Sequence, residues 1–408
     1  MTNKNKRSII ILVIIMERLI FHIDVNNAFL SWTAVDMLKN GAKLDIRTIP
    51  AIIGGDESQR HGVVLAKSNI AKQFGIKTGE PIYFARKKCP SLQVFASNHK
   101  MYREYSNKLY ELFEEYTNII ERFSIDECFL DMTNFIGKNE SPLVIAKEIS
   151  TRVKTEQGFT VNVGIAHNKL LAKMASDFEK PDKIHTLWNE EIKTKMWPLK
   201  VDELLMVGKK SIPKLEKMGI KTIGDLAQYN KELIYKGFGK FGKMIWEYAN
   251  GIDNSPVNYK DEKPKGIGNS ITVPQDLINI NEINRILLDL TEQVTYRLRK
   301  EKMIANVVNV QIKDSNFRVF SHQRKLDTAT SSTKIIYEQA KKLMEELYSK
   351  GTRVRLIGVR VDDLLDEKDK QISLFDNKLN EKQEKLDETL DKIKEKYGHN
   401  FIKRGGEI

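Results

Sequence analysis

Cysteine is almost missing. Only Cys89 and Cys128 occur in 408 residues, and neither belongs to a CxxC pair or a Cys/His cluster. That excludes a disulfide framework and a thiolate zinc site, and a reducing cytoplasm fits best. Cys128 sits beside Glu127 with no activating histidine near it in sequence, so it reads as a small core residue rather than a nucleophile. A membrane-spanning run is missing from the amino terminus too. The apolar stretch from Ile9 to Ile15 follows a basic start but is too short to cross a bilayer, and no small-residue cleavage site follows it. Residues 1–15 therefore read as an extension left by an upstream start, with a membrane tether as the alternative; no stable membrane association is expected. Negative charge is in deficit, 55 acidic against 67 basic residues for a net +12. Such an excess favours a polyanionic partner, nucleic acid or an anionic membrane surface, and does not choose between them.

What is present is enough apolar material for several cores. At 41% hydrophobic residues, a chain of this length forms two to four domains. Residues 19–25 are a short apolar run that suits a buried strand ending near Asp24. Tyr102, Tyr105, Leu109, Leu112, Phe113 and Tyr116 recur at helical spacing and predict a helix over 101–116 with one buried face. The run IIERFSIDECFLDM at 119–132 predicts two strands meeting near Asp126. Ser141 and Pro142 suit the cap and first turn of a helix that presents Leu143, Ala146, Ile149 and Val153 on one face. FTVNVGIA at 159–166 alternates as a strand does. The succession strand, helix, strand, strand, helix, strand is the ferredoxin-like pattern, and a polymerase palm has it.

The remainder divides around that unit. Residues 46–98 form a glycine-containing insertion, read as a small separate lobe. Residues 207–227, VGKKSIPKLEKMGIKTIGDLA, are a helix-hairpin-helix candidate, whose turns offer backbone N–H groups to phosphates. The polar stretch 253–265 reads as a linker. Residues 264–363 alternate strand and helix again and hold 17 Lys or Arg against 12 Asp or Glu, which suits a DNA clamp. In the tail, Leu379, Leu386, Leu390, Ile393 and Tyr397 are spaced to form one helical stripe.

The chemistry is carried by acids. FHIDVNNAFLSW at 21–32 brings a carboxylate to a strand end, and SIDECFLD at 124–131 sets two acids side by side. Phosphoryl transfer from a nucleoside triphosphate needs oxygen ligands for two magnesium ions, which three acids from neighbouring strands supply. Adjacent strand residues face opposite ways, so Asp126 and Glu127 share a site only if the chain bends there.

Together these runs resemble the Y family of translesion DNA polymerases, closest to its bacterial polymerase IV branch, over nearly the whole chain from Met16. The resemblance implies an α+β multidomain fold: a ferredoxin-like palm (16–27 and 98–185), fingers (28–97), a helical helix-hairpin-helix thumb (186–252), a linker (253–265), a C-terminal α/β little finger (266–363) and a tail (364–408). It implies that Asp24, the main-chain carbonyl of Val25, Asp126 and Glu127 hold two Mg2+ ions, with Asp24, Asp126 and Glu127 catalytic. It also makes Phe29 the steric gate against ribonucleotides, where the bland alternative is a core aromatic. Asn69 and Lys72 stand where the family usually has Tyr and Arg for the triphosphate; Lys72 keeps the charge but not the bidentate fork. Lys173 matches a second triphosphate cation, and a solvated helix face is the plain alternative for both lysines. No further segment has the acids of a proofreading exonuclease.

GGDE at 54–57 is similar to the signature of diguanylate cyclases, but Ser58 follows it and SIDE already occupies the central hairpin, so it reads as a loop. QISLF at 371–375 resembles the peptide by which bacterial polymerases dock on the sliding clamp, with Leu374 and Phe375 entering an apolar pocket and Gln371 fixing register. The expected partners are primer-template DNA, dNTPs and that clamp, for a monomer in the cytoplasm at the nucleoid. The rivals are a catalytically degenerate, clamp-associated DNA-binding paralogue and a nucleotide cyclase.

Overall fold

The computed structural model describes residues 18–55, 62–137, 140–260, 263–349, 351–369, 378–398 and 401–402. They form two compact units, one of residues 18–55 and 63–260 and one of residues 263 onward.

The first unit is built on β1 (Ile20–Val25), every residue of which is buried. It is followed by α1 (Ala28–Lys39), then β2 (Ala51–Gly54), β3 (Val64–Lys67), α2 (Asn69–Gln73), α3 (Ile82–Lys88) and β4 (Gln93–Ala96). Next come α4 (His99–Glu114), β5 (Ile120–Arg122), β6 (Glu127–Asp131), α5 (Pro142–Arg152), β7 (Val161–Ala166), α6 (Lys169–Asp177) and β8 (Ile184–Thr186). The main sheet has the order β5-β6-β1-β7-β8, with β1 antiparallel to both neighbours. Its first four strands have the ferredoxin-like connection, and β8 extends the sheet in parallel to β7. Because β1 is central, both faces of the strand are covered, which accounts for a buried run in place of strict alternation.

The helices follow the predicted faces with small differences. In α4, Tyr102, Tyr105, Leu109, Leu112 and Phe113 are buried, and Asn98 caps the first turn by accepting from the Met101 N–H at 3.1 Å. Tyr116 lies past the helix end, half-buried. Pro142 opens α5 as expected, but the Ser141 side chain makes no cap bond, and Leu143 in the first turn is exposed while Ala146, Ile149 and Val153 are buried. Strand β7 touches α6 closely enough that Gly164 has no room for a side chain.

The inserted lobe is a small sheet, β3-β2-β4, with α2 and α3 on it. Its core comprises Ile52, Val64, Ala71, Ile76, Ile82, Ala85, Cys89 and Leu92. Helix α1 joins lobe and main sheet: Trp32 and Val35 enter the main core, whereas Leu30 and Ala34 pack with Ile46, Ala51 and Ile53. Four short helices complete the unit, α7 (Ile212–Lys217), α8 (Ile223–Gln228), α9 (Lys231–Phe238) and α10 (Lys240–Ala249). Gly219 at φ +81° turns the chain between α7 and α8, a backbone conformation that glycine adopts without strain. The Thr222–Asp225 capping box then starts α8. Leu215, Ile220, Ile223, Leu226, Ile234 and Ile245 pack in one cluster with Leu170, Leu171 and Met174 of α6.

The second unit comprises β9 (Gly266–Leu277), α11 (Ile280–Lys300), β10 (Met303–Asp314), β11 (Val319–Thr330), α12 (Thr333–Leu347), β12 (Val354–Asp366) and α13 (Lys378–Tyr397). Its sheet has the order β11-β10-β12-β9. Ile283, Leu287, Leu290, Val294 and Leu298 of α11 and Ile336, Ala340 and Leu343 of α12 form its core with the strands. The tail helix exists, and its predicted apolar stripe is partly covered: Leu390 and Ile393 are half-buried, whereas Leu386 and Tyr397 are exposed. Charged and polar contacts attach it as well, with Arg299 on Asp391 at 2.6 Å and buried Asp387 accepting from the Thr333 N–H at 3.0 Å. No helix among the described residues is long and apolar enough to cross a membrane. The 371–375 peptide and residues 1–15 lie outside the described residues.

Candidate active site

Asp24 lies at the end of β1, directly opposite Glu127 in the antiparallel register with β6. Asp126 is in the bend before β6, so the two adjacent acids do not follow regular strand alternation. The bend is braced from α4. Ser106 donates to the Ile125 carbonyl at 2.6 Å, and the Tyr110 hydroxyl lies 3.2 Å from the carbonyls of Ser124 and Glu127. The Val25 N–H closes the other side on the Asp126 carbonyl at 3.0 Å.

Each carboxylate has a cation or a hydroxyl against it. Lys180 bonds Asp24 and also Asp177, the latter at 2.7 Å. Ser124 donates to Asp126 at 2.6 Å, and Lys173 lies 3.1 Å from Glu127 and 3.3 Å from Asp177. Burial raises Asp24 to about 6 against the pull of Lys180. Burial would raise Glu127 too, but His22 and Lys173 outweigh it and hold the group at about 2. His22 is wholly buried, kept neutral by that burial with its pKa lowered to about 4. Its Nδ1 lies 2.8 Å from Ser176 Oγ and its Nε2 3.4 Å from Glu127, the contact through which it helps to hold that carboxyl ionised. Burial would lower Lys180, but Asp24 and Asp177 outweigh it and raise it to about 12.

Asp24, Val25, Phe29, Asn69, Lys72 and Asp126 line one cavity of about 330 Å³, together with Lys67, Thr78 and Lys180. Phe29 is half-buried in the first turn of α1, its ring stacked on Tyr102 at 4.5 Å and edge-on to His99. That stack fixes the ring plane at the cavity wall. Asn69 opens α2 behind the Ser68 cap, and Lys72 is one turn on, exposed. Lys173 and Glu127 are not in the lining; buried Lys173 lies between Glu127 and Asp177. The cation that reaches the cavity from that side is Lys180, beyond the end of α6. Sequence spacing missed it, because α6 stops at Asp177 and only the path of the following loop brings Lys180 back over Asp24. Tyr110, His22 and Lys67 were missed as well, since nothing in their local pattern marks a role.

The donor set suits a hard divalent cation: carboxylate oxygens of Asp24 and Asp126 and a main-chain carbonyl at one cavity wall. Among the described residues no three His, Cys, Asp or Glu side chains already converge as a metal cage. The ammonium groups of Lys180 and Lys173 supply the positive charge that the carboxylates need in that arrangement.

Comparison with known proteins accords with this geometry. Residues 23–177 match the impB/mucB/samB family, residues 264–374 its C-terminal domain, and residues 203–253 the thumb domain described for DNA polymerase-iota. The DNA polymerase IV of Clostridium acetobutylicum is 50% identical over 95% of this chain and 98% of its own. That of Acetivibrio thermocellus is 38% identical over 96% and 97%, and the DNA polymerase IV 2 of Bacillus subtilis 35% identical over 96% and 95%. A solved Y-family DNA polymerase chimera has the same fold, with a TM-score of 0.75 at 24% identity, covering 85% of this chain and 99% of its own. The chain belongs to the Y family of translesion DNA polymerases, in its bacterial DNA polymerase IV branch. The ferredoxin-like sheet is the palm, the small inserted sheet the fingers, α7–α10 the thumb and the sheet β9–β12 with α11 and α12 the little finger. Polymerases of this family depend on divalent metal.

Proposed function

We propose that the chain extends a DNA primer from dNTPs opposite damaged or undamaged template, through Asp24, Val25, Asp126 and Glu127 as holders of two Mg2+ ions. The carrying observation is that Asp24, Asp126, Phe29, Lys72 and Lys180 line a single cavity. Bound Mg2+ would activate the primer 3′-hydroxyl and neutralise the leaving pyrophosphate. The residues do the rest. Lys72 and Lys180 bracket the space for the triphosphate, and Lys180 would move from Asp24 to the phosphates as metal arrives. Asn69, which accepts from Asn27 at 3.4 Å, gives the phosphates a polar neighbour where the family usually has a phenol. Lys173 acts beneath the site by holding Glu127 ionised and oriented. Phe29, pinned by Tyr102, lies where a 2′-hydroxyl would meet the ring.

The domain limits proposed are palm 16–27 and 98–185, fingers 28–97, thumb 186–252, linker 253–265, little finger 266–363 and tail 364–408, in a chain acting as a monomer in the cytoplasm at the nucleoid. Its thumb and little finger grip DNA through phosphates. Primer extension on undamaged and lesion-bearing templates, with Mg2+ and all four dNTPs, tests this reading. The wild type extends and crosses the lesion, whereas Asp126→Ala with Glu127→Ala binds primed DNA without extending it. If neither extends while both bind, the chain is a DNA-binding scaffold instead.

A further inference from the structure

The fingers carry a surface that neither the cavity nor the core explains. Helix α3 buries Ile82 and Ala85 against the fingers core and leaves the rest of its length to solvent. Two of those outward residues are large aromatics, Tyr83 at 59% and Phe84 at 53% exposure, their rings edge-to-face at 5.4 Å. Phe74, in the turn after α2 on the same lobe, is 47% exposed. Apolar rings left bare on so small a lobe mark a contact surface rather than incidental exposure.

The charge around them says what kind of contact. Residues 64–100 hold seven Lys or Arg and one acid, Glu80. That acid is already held by Lys88 at 2.5 Å. Lys87 lies over the Tyr83 ring at 4.5 Å, so a cation and an aromatic face are presented together. Anionic backbone plus flat π-faces is the signature of single-stranded nucleic acid, bound by phosphate attraction and base stacking without sequence reading. Duplex DNA does not suit the rings, because its bases already stack on one another. An apolar protein partner would gain from the rings but not from the cations. The surface is also joined to the nucleotide cavity by a short stretch of chain: Thr78 lines the cavity, and α3 starts at Ile82.

We propose that Tyr83 and Phe84, with Lys87, form a stacking platform for the unpaired template strand ahead of the templating base. A polymerase must keep that strand unstacked and in line, and an aromatic pair on the fingers does so for any base sequence.

The test is fluorescence anisotropy with labelled primer-templates that share one duplex and differ in the length of the 5′ template overhang. The wild type binds a long overhang more tightly than a short one. Tyr83→Ala with Phe84→Ala lowers long-overhang affinity about tenfold, the scale of one lost base stack. Its affinity for the blunt duplex and its melting temperature do not change, since neither ring supports the core. Tyr83→Trp with Phe84→Trp, which keeps both π-faces, retains the overhang preference. The proposal is overturned if the overhang preference survives the alanine pair, if blunt-duplex affinity falls equally, or if the tryptophan pair fails like the alanine pair. An unaltered nucleic-acid profile in the alanine pair would leave the aromatic surface to a protein partner.

Discussion

At the scale of single residues, the proposed sugar selection rests on one ring and on what holds it. Phe29 stacks on Tyr102 with the two planes 9° apart, so the ring cannot swing aside without losing that contact. Exclusion of a 2′-hydroxyl by a fixed wall is a clash built against the wrong substrate, not an attraction to the right one. Replacing Phe29 with Ala removes the wall and leaves Asp24, Asp126 and the phosphate cations in place. Ribonucleotide incorporation relative to deoxynucleotide incorporation is expected to rise on the order of 100-fold, the scale on which a tight pocket separates substrates differing by one small group. Single-nucleotide kinetics with dNTP and rNTP of the same base give the ratio; an unchanged ratio assigns Phe29 to the core alone. The phenylalanine and the acids were legible in the sequence because each sits in a local motif beside a strand. Lys180 was not, and Lys173 was preferred to it, because a helix pattern ranks residues by face and says nothing of a side chain that returns from beyond the helix end.

At the scale of elements, the palm depends on how closely β7 and α6 approach. A Cβ on Gly164 would stand 1.9 Å from the Ala172 carbonyl oxygen and 2.5 Å from the Ser176 backbone nitrogen. These are main-chain atoms of α6, which cannot rotate away, so Gly164→Ala must push the helix off the sheet. Overpacking of this kind costs about 3 kcal/mol. The cost extends to function, since α6 carries Lys173 and the Ser176 hydroxyl beside His22. Denaturant unfolding should show the loss for Gly164→Ala and almost none for Gly208→Ala, where no atom lies within 4 Å of the added methyl group. Equal stability of both variants would mean that the two elements are not in such close contact. The alternating run at 159–166 predicted the strand and its small residue, but closeness to α6 is a tertiary fact with no local pattern. The tail helix shows the same division. Its period was readable, while its docking through Asp387 and Asp391 was not, because an apolar stripe is the stronger sequence signal and a pair of acids reads as a solvated face.

At the scale of the whole molecule, the balance of +12 and the helix-hairpin-helix turns describe a grip on phosphates that is blind to sequence. Such a grip is weakened by salt and gives no means of staying at one primer end, so the enzyme dissociates after short synthesis unless something tethers it. We propose that the peptide Gln371–Phe375 is a tether of another kind, with Leu374 and Phe375 filling an apolar pocket on the clamp whose affinity owes little to charge. Binding a ring that already encircles the duplex turns each return to the primer end into an intramolecular event, and avidity then rises by about 10²–10⁴ without any new contact in the active site. Deleting Gln371 to Phe375 should therefore leave synthesis without the clamp unchanged, while added clamp no longer lengthens the products. Product length with and without loaded clamp, measured for both chains, decides it: stimulation that survives the deletion would move the docking surface elsewhere on the molecule.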